Sequence, residues 1–198
     1  VKTERIWGSG VDLNLFPYEP LPKRMIFLFV GRLLIDKGIN EYIMAAREVK
    51  KKYPKSIFRI FGDIDSNLAS INNKQLSLMI DEGIINYGGF SENIQDEFAN
   101  CRFFVLPSYR EGTPKSSLEA LATGRPIITT DVPGCRETVV NSLNGYLVPP
   151  RDYLSLAKAM YTMIEQSEEA TEKMGYESFK LAKKKYDVNK VNESIYEI

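Results

Sequence analysis

Two glutamates eight positions apart, Glu111 and Glu119, lie in the stretch Pro107-Ser-Tyr-Arg-Glu-Gly-Thr-Pro-Lys-Ser-Ser-Leu-Glu-Ala120. An apolar run, Phe103-Phe-Val-Leu106, precedes them and reads as a buried strand. Pro107, Gly112 and Pro114 then break the chain, and Ser116 starts a helix of small apolar residues. In an open α/β sheet such turns lie at the carboxyl ends of the strands, where ligands bind, and the first N–H groups of the helix are open to an anion. Carboxylates beside an anion site suit a ligand that carries both phosphate and hydroxyls. Upstream, Gly31-Arg-Leu-Leu-Ile-Asp-Lys-Gly38 follows another apolar run, placing the Arg32 guanidinium at a strand tip and the Lys37 ammonium at the start of the next helix. A lysine in a first turn opposes the helix dipole, which prefers anions there by roughly 0.3–1 kcal/mol. A ligand phosphate removes the conflict.

Plainer readings stand beside these. Ser116-Ser-Leu-Glu119 also spells a capping box, in which an N-cap hydroxyl and the carboxylate three residues on satisfy each other's backbone N–H groups, worth on the order of 1 kcal/mol. Arg32, Lys37 and Glu111 can be solvated loop charges. Asp63-Ile-Asp65 has a D-x-D spacing with which some enzymes hold a divalent metal, and turn formation by aspartate accounts for it without one. Gly31 and Gly89 form neither a Walker loop nor a G-x-G-x-x-G turn, which speaks against P-loop NTPase and dinucleotide chemistry.

The elements that must position these groups follow from the apolar pattern. Strands are expected at 25–30, 57–61, 84–87, 103–106, 126–129 and 146–148, and helices at 39–52, 74–82, 93–100, 116–123, 136–141, 153–166 and 169–185. Strand and helix alternate, and the strands are nearly continuous in apolar residues. That order predicts an α/β fold: a doubly wound, Rossmann-like parallel sheet of about six strands with helices on both faces. Residues 1–22, rich in Gly and Pro, read as a connector, 23–186 as the domain, and 187–198 as a final helix segment, cut short or crossing back to an upstream domain.

Composition narrows the chemistry. The chain has 198 residues, 43% hydrophobic, enough for one sizeable core. Lys plus Arg and Asp plus Glu are equal at 26 each, so no nucleic-acid partner is indicated. Histidine is absent, which removes the commonest general base and metal ligand, and with them Ser/His/Asp and Cys/His schemes. Cys101 and Cys135 match no metal or redox spacing and read as reduced structural thiols. No apolar run approaches membrane-spanning length and no signal peptide opens the chain; the start at Val1 without methionine suggests a fragment.

Taken in order, Gly8-Ser-Gly-Val-Asp12 with Phe16, Phe29-Val-Gly-Arg-Leu33 with Lys37-Gly38, Pro107-Ser108, Glu111-Gly112 with Ser117-Leu-Glu-Ala120, Gly124-Arg-Pro126, Gly134 to Glu137 and Asn144-Gly145 form a recognisable pattern. It resembles the C-terminal, donor-binding half of retaining GT-B-type glycosyltransferases, in particular glycosyltransferase family 4, the glycosyl transferases group 1. The resemblance covers nearly the whole chain. It implies that Gly31, Arg32 and Lys37 meet the donor diphosphate, that Glu111 holds hydroxyls of the transferred sugar, and that Glu119 holds the ribose. Arg32, Lys37 and Glu111 would then serve the reaction itself. Backbone around Gly112, Thr113, Pro114, Lys115 and Ser116 would meet sugar and phosphates, and the base would lie near Gly88-Gly-Phe-Ser91, hence Phe90. The expected donor is a UDP-sugar, with GDP the next choice, used without metal or other cofactor; Asp63 and Asp65 then gain no metal role. Relatives often carry an aromatic or aliphatic residue where this chain has Thr113-Pro-Lys-Ser116, which leaves the sugar open.

The resemblance further implies an acceptor, saccharide or lipid-linked, held by an N-terminal domain that this sequence lacks. Bacterial surface-glycan synthesis in the cytoplasm, at the inner face of the membrane through that missing half, is the expected setting, and the isolated chain is expected to transfer nothing. A GT-B-like nucleotide-sugar epimerase and a non-catalytic nucleotide-sugar-binding module are the alternatives. The absence of histidine counts against the first, and the joint presence of Arg32, Lys37, Glu111 and Glu119 against the second.

Overall fold

Five consecutive apolar residues, Ile26-Phe-Leu-Phe-Val30, leave strand β1 (Ile26–Val30) no face to offer water, so it must be covered on both sides. In the computed structural model, which describes residues 8–64 and 73–196, β1 lies at the centre of a parallel six-stranded sheet ordered β3-β2-β1-β4-β5-β6. The other strands are β2 (Ile57–Phe61), β3 (Asn86–Tyr87), β4 (Phe103–Leu106), β5 (Ile127–Thr130) and β6 (Gly145–Val148). Register places Phe27 opposite Phe58 and Phe103, and the rings meet on one face with centroids 5.1 and 4.9 Å apart. Period-two alternation sends Leu28 and Phe104 to the other face, where Phe104 packs on Phe98 of α3 (Ile94–Asn100), itself edge-on to Phe16.

Helix α1 (Ile39–Lys52) buries Ile39, Tyr42, Ile43, Ala46 and Val49, a stripe at helical spacing that lays Tyr42 against Phe29 and Phe58. It packs with α5 (Tyr153–Glu165), while α4 (Lys115–Ala122) packs with α6 (Glu168–Leu181). Helix α2 (Asn73–Asp81) precedes β3, and α7 (Val188–Tyr196) closes the described chain. Right-handed crossovers from β1 to β2 and from β4 to β5 run in opposite directions along the sheet, which puts α1 and α4 on opposite faces. The strand order therefore reverses between β1 and β4, the switch point at which such sheets open a crevice.

Several elements depart from the expected pattern for visible reasons. Strand β3 is two residues long because the N–H groups of Ile84 and Ile85 both turn back to the Met79 carbonyl at 3.0 and 3.4 Å. The helix expected at 136–141 is a single 3-10 turn, Arg136–Thr138; the Asn144 side chain takes the Val140 N–H at 2.7 Å and bends the chain into a turn. The helix expected at 169–185 passes into a π-turn, Ala182–Tyr186, which swings Tyr186 inward to donate to the Glu137 carbonyl at 2.6 Å.

The connector is fastened to the domain. Val11 and Phe16 are core residues, and Val11 exchanges backbone bonds with Tyr186 and Val188 at 2.7 and 3.0 Å. Buried Arg125 gathers the carbonyls of Glu19, Cys101 and Thr123, and buried Arg102 holds the Pro22 carbonyl at 2.7 Å and Glu168. Residues 1–7 lie outside the described residues. Arg125→Met keeps the volume and strands several carbonyls, each worth about 1–3 kcal/mol when buried without a donor. Urea titration should show a loss of about 3 kcal/mol or more, and an unchanged midpoint would mean that the guanidinium does not tie the connector down.

Candidate functional site

The site grows from the two strand exits at the switch point. After β1, Gly31 and Arg32 lead into a 3-10 turn, Ile35–Lys37, and α1 begins at Ile39. Lys37 thus stands just ahead of the helix, not within its first turn as expected. Gly38 between them has φ 73°, and a Cβ there would strike the Pro107 carbonyl. Only glycine allows both the left-handed turn and the close approach. On the other side Gly134, at φ 86°, lets the carbonyls of Glu111 and Gly112 come as near. The β4 exit loop is held between them. As a result Lys37 Nζ donates to Glu111 Oε1 at 2.5 Å, with the two side chains 20% and 11% exposed. The same oxygen accepts Ser108 Oγ at 2.9 Å, and the carbonyl of fully buried Ser108 accepts from Thr130 Oγ1.

Helix α4 starts one residue earlier than expected. Its N-cap is Pro114, whose carbonyl takes the N–H groups of Ser117 and Leu118 at 3.1 and 3.3 Å, and no side chain caps it. Ser116 is inside the first turn, so the capping box does not form. Proline pre-sets the extended entry and leaves Ser116 no reason to serve as the cap. Asp152 and Ser167 do cap α5 and α6 with their side chains. At α4, by contrast, no acceptor among the described residues meets the N–H groups of Lys115 and Ser116. Glu119 is freed from capping yet only 7% exposed. Burial pushes its carboxyl pKa up, partly offset by Lys115, whose Nζ lies 3.8 Å away on a largely exposed side chain.

These groups converge. A cleft of about 290 Å³ has Val30, Gly31, Arg32 and Lys37 on one wall and Leu106, Glu111, Pro114, Lys115, Ser116 and Glu119 on the other. Gly112 and Thr113 are in the loop behind it, Thr113 against Gly8. Phe90 is not in the wall; it stands 69% exposed at the exit of β3, at the same end of the sheet. Asp63 is exposed and its carbonyl accepts the Leu33 N–H at 3.0 Å, while Asp65 lies outside the described residues. Among the described residues no cluster of three or more His, Cys, Asp or Glu is placed to hold a metal. Both cysteines are free and buried, with the Cys101 thiol pushed by burial to about 12, so neither offers a thiolate. Ser108 is the residue whose contribution the sequence did not disclose; a hydroxyl three positions before a glutamate is a common spacing with no signal of its own.

The family model for glycosyl transferases group 1 matches residues 14–181. The chain belongs to that family. It is 32% identical over 145 residues to the N,N'-diacetylbacillosaminyl-diphospho-undecaprenol alpha-1,3-N-acetylgalactosaminyltransferase of Campylobacter jejuni, covering 73% of this chain and 37% of that protein. It is 28% identical over 169 residues to the capsular polysaccharide biosynthesis glycosyltransferase CapM of Staphylococcus aureus, covering 85% and 44%. The chain thus spans less than half the length of these relatives. Among solved structures, Anabaena HepE in complex with UDP superposes with a TM-score of 0.84 at 23% identity, covering 95% of this chain and 55% of that one. The C-terminal domain of the group 1 protein LpcC of Francisella tularensis superposes with 0.76 at 24%, covering 90% and 99%. The fold is the C-terminal half of a GT-B glycosyltransferase, as the sequence pattern predicts. No helix among the described residues is long and apolar enough to cross a membrane.

Because burial raises the folded-state pKa of Glu119, ionising it costs folding free energy as pH climbs from the ordinary 4.5 through the raised value, and the cost vanishes below that range. Glu119→Gln should therefore melt higher than the parent at pH 7, each ~1 kcal/mol recovered being worth about 2–4 °C for a chain of this size. The gap should close as the pH is lowered past 4.5. A variant that melts lower at pH 7 would show that the carboxylate is stabilising where it stands.

Proposed function

We propose that this chain is the donor-binding half of a retaining glycosyltransferase, which moves a sugar from a UDP-sugar to a saccharide or lipid-linked acceptor in bacterial surface-glycan synthesis. The observation that carries the reading is the pairing, across one cleft, of a cationic wall and an open helix start with a buried, uncapped carboxylate. A diphosphate fits the first and a ribose diol the second. The diacetylbacillosaminyl-diphospho-undecaprenol transferase and CapM, by their names, support the glycan setting, and the UDP bound to HepE supports the nucleotide.

In this reading Arg32, Lys37 and the N–H groups of Lys115 and Ser116 take up the negative charge that grows on the departing diphosphate. Glu119 accepts the ribose hydroxyls, and Glu111, steadied by Ser108, accepts those of the sugar. Phe90 offers an exposed ring beside the base. Transfer with retention proceeds on one face, the leaving phosphate oxygen taking the acceptor proton, with Glu111 holding the sugar and not attacking it. The acceptor is held by the remainder of the protein, in the cytoplasm at the inner membrane face, so the chain alone binds donor without transferring it. The charge that a metal would supply comes from the side chains and the helix, and binding needs no divalent ion.

Calorimetry tests this directly. UDP should bind about tenfold or more tighter than UMP, since the second phosphate adds charge-assisted bonds, with each 1.4 kcal/mol counting for a factor of ten. The affinity should fall with added salt and stay unchanged in chelator. Equal affinity for UMP and UDP would refute the diphosphate site, and loss of binding in chelator would bring a metal into it.

A further inference from the structure

We propose that the Lys37–Glu111 ion pair is a latch in which each group stands in for the other's ligand, so that the diphosphate must displace it before the sugar can be recognised. This rests on the donor-site reading above. The two residues come from different crossovers, 74 positions apart, and meet only because Gly38 lets Pro107 approach. Both are mostly covered, and among the described residues Lys37 forms no other ion pair and Glu111 meets no other cation. A covered ammonium or carboxylate without a partner is costly, and here each satisfies the other.

An incoming diphosphate changes the balance. Seated between Lys37 and the start of α4, it offers the ammonium more negative charge than a single carboxylate does, and Nζ turns to it. Glu111 keeps only the Ser108 hydroxyl, a neutral donor that fixes its position and leaves acceptor sites open. Those sites now suit sugar hydroxyls. Diphosphate and sugar recognition are thereby coupled, and a free sugar, which would have to displace the ammonium unaided, binds poorly.

The latch makes a prediction opposite to that for an ordinary binding residue. Glu111→Gln should bind UDP more tightly than the parent, by roughly three- to tenfold, since a mostly covered ion pair no longer competes for Lys37. Removing a negative charge near an anion could also tighten binding through space, and Lys37 tells the two apart. In a Lys37→Gln background the Glu111→Gln gain should vanish. Glu111→Asp provides a second, independent reading, because it keeps the charge but withdraws it from Nζ by one methylene, and it should show a gain of the same sign. Titration of the folded variants with UDP alone decides the matter, with melting curves confirming folding. Absence of a gain in Glu111→Asp and Glu111→Gln, or an equal gain with Lys37 replaced, overturns the latch while leaving the donor site standing. Failure of the parent chain to bind UDP overturns the donor-site reading itself, and the latch with it.

Discussion

The loop leaving β4 sits where its neighbours have no side chain to exclude it, and the site depends on that fit. Gly38 admits Pro107 from one side and Gly134 admits Glu111 and Gly112 from the other. Held there, the loop delivers Glu111 to Lys37, sets Pro114 as the cap of α4, and by so fixing the start of the helix turns Glu119 into the cleft. A side chain at either glycine would collide with a carbonyl, not with a rotamer that can move aside, so the constraint is rigid. The sheet supplies the rest by placing β1 and β4 side by side at the point where strand order reverses.

The molecule gives up local stability at this place. Helices α5 and α6 close their first turns with Asp152 and Ser167, whereas α4 leaves its first N–H groups open and carries a carboxylate whose ionisation burial opposes. A cap at Ser116 would have moved the helix start past Lys115 and Ser116, taking from it the two open N–H groups that the proposed anion site uses. Stability is recovered in the surrounding core, where the aromatic stack of Phe58, Phe27 and Phe103 and the carbonyl bonds of Arg125 lie far from water.

Much of this was legible in the sequence, unevenly. The central strands were plain because unbroken apolar runs such as Ile26–Val30 and Phe103–Leu106 end at glycine or proline, and α1 was plain because an amphipathic stripe runs from Gly38 to Tyr53. The start of α4 was not, because Pro114 and Ser116 are both sound ways to begin a helix and only the packing of the loop chooses between them. The π-turn after α6 and the short β3 arise from contacts made by Tyr186 and Met79 that no local pattern announces. The residues Arg32, Lys37, Glu111 and Glu119 stood out singly only as loop charges or a cap; their order along the chain is what resembled a family. That Lys37 and Glu111 touch is a tertiary fact separated by 74 positions, beyond the reach of spacing arguments.

In the proposed donor site, the cleft between the β1 and β4 exits takes a nucleoside diphosphate in one defined orientation. A crystal structure of this chain grown with UDP would show that orientation. The diphosphate should lie on Lys37 and the N–H groups of Lys115 and Ser116, with both ribose hydroxyls on the Glu119 carboxylate. A nucleotide found with its ribose away from Glu119, or with no phosphate at the start of α4, would contradict it.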